Sequence, residues 1–156
     1  MRTSPFAFCP ALCLALLLAA CAAPGPASRH YGQPEGSPVR LGATVEEARA
    51  ALGTQAAAQA TSGSNLALEL DTRGVQVYFD ANGRVLTVRL RPPFDTPVMG
   101  VRIGDSAATV VQKMGKPAAQ ARAEGQTGYT YHPDAMTMLT YLVGADQKVE
   151  TIYLVR

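Results

Sequence analysis

The sequence predicts an α+β protein made of two tandem units, each a short helix followed by a three-stranded antiparallel sheet. Three observations predict it. VRLGATVEEARAALG (residues 39–53) recurs as VRIGDSAATVVQKMG (residues 101–115), with Val39, Arg40, Gly42 and Gly53 returning as Val101, Arg102, Gly104 and Gly115. NGRVLTVRL (residues 82–90) recurs more loosely as DQKVETIYL (residues 146–154). Between these landmarks each half alternates apolar and polar residues with the period of a half-buried strand. The first unit is placed at 39–91, the second at 98–156, and the Pro-rich linker at 92–97.

In the first unit, Thr44 is a good N-cap and Glu47 completes a capping box. Val45, Ala48 and Leu52 then lie on one helical face, and Gly53 supplies the left-handed stop. Leu66, Leu68 and Leu70 mark a first strand, Val75, Val77 and Phe79 a second, and Leu86, Val88 and Leu90 a third. The Asn82-Gly83 pair signals the hairpin between the last two. The linker that follows is too rich in proline for a central strand. In the second unit Ser106 caps, Ala107, Val110, Val111 and Met114 form the apolar stripe, and Gly115 and Pro117 end the helix. Its strands are marked by Tyr129 and Tyr131, by Leu139, Tyr141 and Val143, and by Ile152 and Leu154. Helices this short are unstable alone, so each must pack on its sheet.

Ahead of the first unit the chain changes character. Arg2 is followed by an apolar, uncharged run to Ala20, too short for a comfortable bilayer span and shaped like a secretory signal. It ends Leu18-Ala19-Ala20-Cys21, which resembles the lipobox of bacterial lipoproteins. That resemblance implies a signal peptide over 1–20, a diacylglycerol thioether on Cys21 and acylation of the new amino group. All three cysteines lie within the first 21 residues, so the exported domain has no disulfide framework. Several buried acyl chains would anchor the protein stably without a membrane-spanning helix. Residue 22 is Ala and not the Asp that retains lipoproteins in the inner membrane, which in a Gram-negative host implies the outer membrane, facing the periplasm. Residues 21–38 are rich in proline and glycine and are expected to form a disordered tether, about 55–60 Å long at ~3.3 Å per residue when extended.

Composition narrows the function classes. The net charge is +2, with no basic cluster, which argues against nucleic acid and against a polybasic lipid-binding patch. Gly104-Asp105-Ser106 looks like a hydrolase nucleophile block, but the only histidine after it is His132, with Asp134 beyond, and a duplicated helix cap explains Ser106 and Thr44 together. His132 and Asp134 are too few ligands for a dedicated metal centre, and there is no Gly-rich phosphate loop. The expectation is therefore no catalytic residue, no metal and no cofactor.

Gly100 to Ser106, Met114 to Pro117, the Tyr129–Tyr131 pair and Lys148 to Ile152 together resemble the BamE-like (SmpA/OmlA) lipoproteins and the repeats of β-lactamase-inhibitor-like proteins. The resemblance implies small helix-plus-sheet units that bind other proteins in the bacterial envelope, in outer-membrane assembly or maintenance. The tandem arrangement is closer to the inhibitor proteins, so inhibition of a periplasmic or cell-wall enzyme is the alternative, with a small hydrolase a remote third. If the leucine and valine faces of the strands meet the helices, the opposite face presents Tyr78, Thr87, Arg89, Arg91, Thr151 and Tyr153. Tyrosine and arginine are enriched at binding hot spots, which makes these six the candidate partner surface.

Overall fold

The structure, a computed structural model, describes residues 32–61 and 66–156. The expected signal peptide, Cys21 and most of the expected tether lie outside them. Helix α1 spans Val45–Leu52, and both hydrogen bonds of its capping box are present between Thr44 and Glu47. Gly53 closes it at φ 58° and ψ 40°, in the left-handed region. Strands β1 (Gln59–Ala60), β2 (Leu66–Leu70), β3 (Val75–Phe79) and β4 (Val85–Leu90) follow, then helix α2 (Ala107–Met114), then β5 (Ala119–Ala123), β6 (Gln126–Asp134), β7 (Thr137–Val143) and β8 (Val149–Val155). Ser106 caps α2, its hydroxyl accepting from the Thr109 amide.

The expectation of two units with a three-stranded sheet each is overturned. All strands among the described residues belong to a single eight-stranded antiparallel sheet, ordered β1-β2-β3-β4-β8-β7-β6-β5. Each half supplies four strands, and the halves are joined in the middle by β4 and β8, with Leu90 opposite Ile152 and Val88 opposite Leu154. The physical reason is that β4 left at the edge of a three-stranded sheet would expose its row of backbone donors and acceptors. Pairing it with β8 satisfies both strands and makes one continuous apolar face.

That face is the core. Leu68, Val77, Phe79, Val88, Leu90, Leu154, Ile152, Leu139 and Tyr141 are fully buried on it. Ala48 and Leu52 of α1 and Val110 of α2 join the same cluster, together with Val39 and Leu41 before α1 and Val98 and Val101 before α2. Tyr131 meets Tyr141 edge to face, with centroids 6.0 Å apart, and the Tyr141 hydroxyl donates to the Val98 carbonyl at 2.9 Å. Burial, reinforced by the neighbouring Tyr131 phenol, raises the Tyr141 pKa far above its ordinary value. Both helices lie on this side. Among the described residues, no helix or strand covers the other side.

Candidate functional site: the open sheet face

Because side chains alternate across a strand, the register fixes which residues share the open face. One row crosses six strands: Glu69, Gln76, Arg89, Tyr153, Thr140 and Thr130 stand opposite one another in turn. The next row holds Ala67, Tyr78, Thr87, Val155 and Met138.

The first row is a connected polar chain. Gln76 donates to Glu69 at 3.2 Å, and its side-chain carbonyl accepts from Arg89 Nη1 at 3.3 Å and from the Tyr78 hydroxyl at 3.4 Å. The Arg89 guanidinium carbon lies 5.7 Å from the centroid of the Tyr153 ring. Beyond it, the Thr130 and Thr140 hydroxyls are 3.1 Å apart. Gln76 is buried in this network, while Tyr78, Arg89 and Tyr153 are half-buried and Met138 is exposed. Arg89 Nε is shut off from solvent and has no hydrogen-bond partner.

Of the six residues singled out in the sequence, four lie in these two rows and a fifth lies elsewhere on the same face. Tyr78, Thr87, Arg89 and Tyr153 are grouped around the β4–β8 junction, and Thr151 stands opposite Leu142 on the same face. Arg91 is drawn off: it lies one residue beyond β4, and its guanidinium pairs with Asp71. Sequence reasoning missed Gln76, Thr130, Thr140, Leu142 and Met138. Strand parity alone places Gln76 with Tyr78, and Thr140 and Leu142 opposite to Tyr141.

The residues weighed for chemistry are employed elsewhere. The Ser106 hydroxyl is engaged by the amide and hydroxyl of Thr109. His132 lines a shallow cavity of about 380 Å³ with Met99, Met114, Lys116 and Tyr131, which does not include Ser106. Asp134 accepts from the Met136 amide in the β6–β7 turn. Among the described residues, no group of three or more His, Cys, Asp or Glu side chains could hold a metal ion.

The perturbed carboxylates are structural. Burial pushes the Asp80 pKa up, but the Arg84 amide, the Arg156 guanidinium and the Asn82 amide outweigh it and hold the group below the usual range. The Arg102 amide lowers Asp105 against its burial, helped by Lys113.

No protein-family model and no curated protein matches the chain. Two solved structures share its architecture. The chain is similar to an extracellular protein containing an SCP domain from Bacillus anthracis, at a TM-score of 0.59 and 10% identity, over 80% of this chain and 47% of that one. It is also similar to a DUF4309 family protein, YjgB, from Bacillus subtilis, at a TM-score of 0.50 and 12% identity, over 72% of this chain and 77% of that one. This chain thus spans about half the length of the SCP-domain protein. At such low identity the likeness establishes the fold alone.

Proposed function

We propose that this protein is a lipid-anchored component of the bacterial envelope that binds another protein through the open sheet face, as the BamE-like resemblance of its motifs implies. The observation behind this reading is the patch at the β4–β8 junction. Arg89 and Tyr153 meet there in the middle of a wide face that no described helix or strand covers, with a buried Arg89 donor left unpaired. A sheet with one solvated face can receive a partner without rearranging its core. Tyr78, Arg89 and Tyr153 are of the residue types enriched at binding hot spots, and the exposed Met138 beside them is an adaptable contact. The lipobox at Cys21 and the tether would hold this face away from the membrane surface.

The test is crosslinking of the full chain in its native envelope, followed by mass spectrometry of what co-purifies, with Arg89→Ala/Tyr153→Ala and Cys21→Ser as comparisons. The expected result is a defined envelope protein lost with the double variant. Cys21→Ser should lose fatty-acid labelling and leave the membrane fraction. Recovery of a cell-wall enzyme that the protein inhibits stoichiometrically would specify an inhibitor. Recovery of the same proteins with the double variant would refute the open-face site.

A further inference from the structure

The eight-stranded sheet has two edges, and they differ. One is β1, only two residues long. The other is β5, Ala-Gln-Ala-Arg-Ala, whose five residues are all exposed and which pairs only with β6. Native edge strands are normally blunted by proline, by a bulge, by several charges or by a covering element. The register of β5 against β6 is regular from Ala119–Thr130 to Ala123–Gln126, so no bulge interrupts it. It contains no proline, Arg122 is its single charge, and among the described residues no third element pairs with it. Alternate residues of β5 therefore turn their N–H and C=O groups outward, ready to accept another strand.

The sequence of this edge states which strand fits. Laid antiparallel against its own copy about a two-fold axis at Ala121, β5 pairs along its whole length. Ala121 faces Ala121, Ala119 faces Ala123, and Gln120 faces Arg122 twice. The guanidinium then meets a neutral amide that can accept from it, whereas a register centred on Arg122 would set the two guanidiniums face to face. Lys116 precedes the strand and Glu124 follows it, so the same axis brings each copy's Lys116 to the end where the other's Glu124 lies. Opposite charges and polar pairs across an antiparallel ladder stabilise it, and like charges directly opposite destabilise it. A two-fold contact is self-complementary by construction, and the register centred on Ala121 meets that requirement with the whole strand paired.

We infer that the β5 edge is a self-association site, at which two copies of this chain join their sheets through an antiparallel β5–β5 ladder centred on Ala121. Five residues a side bury much less than a standard interface of roughly 1,600 Å², so the dimer is weak and forms where copies are concentrated. Residues 119, 121 and 123 are alanines, opposite Thr130, Gly128 and Gln126, so on the open face only small side chains stand along the join itself.

The inference is independent of the open-face reading and is tested on the full chain in cells that express it. Ala121→Cys should give a disulfide-linked dimer under mild oxidation, because directly opposed residues of an antiparallel pair are close enough for a disulfide. The parent chain reports any background from its own cysteines, and the exposed loop position Ala145→Cys reports random collision. In the Ala121→Cys background, Gln120→Glu should raise the crosslinked fraction and Gln120→Arg should lower it, with about a three- to tenfold difference between them. The double change Gln120→Arg/Arg122→Glu should restore it. All these positions are exposed, and matching thermal unfolding will verify that the variants fold. Crosslinking no stronger than at Ala145→Cys, indifference to the charge at 120, or a crosslink only to a different protein would each overturn the inference.

Discussion

Arg89 and Tyr153 face one another across the β4–β8 pairing, with the guanidinium carbon 5.7 Å from the ring centroid. They are also the positions that the recurrence of residues 82–90 as 146–154 sets in correspondence. The two halves therefore meet at equivalent positions, on the axis about which the strand order reads outward in the same sense on both sides. The centre of the open face is a place where the pattern of both halves had to be resolved at once, into a cation and a ring.

Replacing Arg89 by alanine should weaken partner capture by tenfold or more while costing only about 1 kcal/mol of stability, because the hydrogen bond to Gln76 is a single half-buried one. Arg89→Lys should keep the charge and lose the planar contact with the ring, and should recover only part of the binding. Quantitative crosslinking beside thermal unfolding separates the two effects.

Asp80 ties three parts of the chain together. It accepts from the Asn82 and Arg84 amides at 2.9 Å each and from Arg156 Nη2 at 2.6 Å. Its folded pKa is lowered, so the unfolded state takes up its proton first. This contribution is complete above the ordinary aspartate value near ~3.9 and is lost as pH falls through the lowered folded value. Asp105 adds a shift of the same sign. Urea unfolding between pH 5 and pH 2 should show stability falling with acid, and Asp80→Asn should be less stable at pH 7 by about 1–3 kcal/mol with a shallower acid slope.

Tyr141→Phe removes the donor to the Val98 carbonyl, which still accepts from the Val101 amide at 3.0 Å. The expected loss is about 1 kcal/mol, or about 3–5 °C in Tm. The raised phenol pKa of the native protein works in the opposite pH range from Asp80. Its contribution is complete below the ordinary value near ~10 and is lost as pH rises toward the higher folded value. Alkaline unfolding followed by circular dichroism should be less steep in the variant.

Two glycines share a left-handed backbone but differ in the space around them. At Gly53, φ 58°, a Cβ would meet nothing within 4 Å, so Gly53→Ala should cost about 1 kcal/mol from conformation alone. At Gly74, φ 66°, a Cβ would fall 1.9 Å from the Arg91 carbonyl oxygen, so Gly74→Ala must move the turn leading into β3. A loss of at least about 3 kcal/mol, read by chemical denaturation, is expected there.

The local elements were legible because local chemistry decides them. Thr44 with Glu47, and Ser106, place both helices, and alternations such as Val75, Val77 and Phe79 place six of the eight strands described. The remaining two were silent for physical reasons. β1 has two residues, too few for a period, and β5 has only alanines, a glutamine and an arginine, with no apolar side chain large enough to mark a buried face. The union of the sheet was silent as well, because Leu90 and Ile152 lie far apart in sequence and nothing in either strand names its partner. The open face was half legible: parity placed Tyr78, Arg89 and Tyr153 together, whereas Arg91 followed a nearby carboxylate that no periodicity reveals.

The position of β8 has a bearing on how the chain is made. A ribosome or a translocation channel releases β1 to β7 first, and in that interval β4 and β7 both have unpaired edges facing the gap that β8 will fill. Neither half can complete its sheet alone. Strand pairing that forms before β8 is released would therefore leave β4 and β7 each with a bare edge, and both edges are closed by the same later strand.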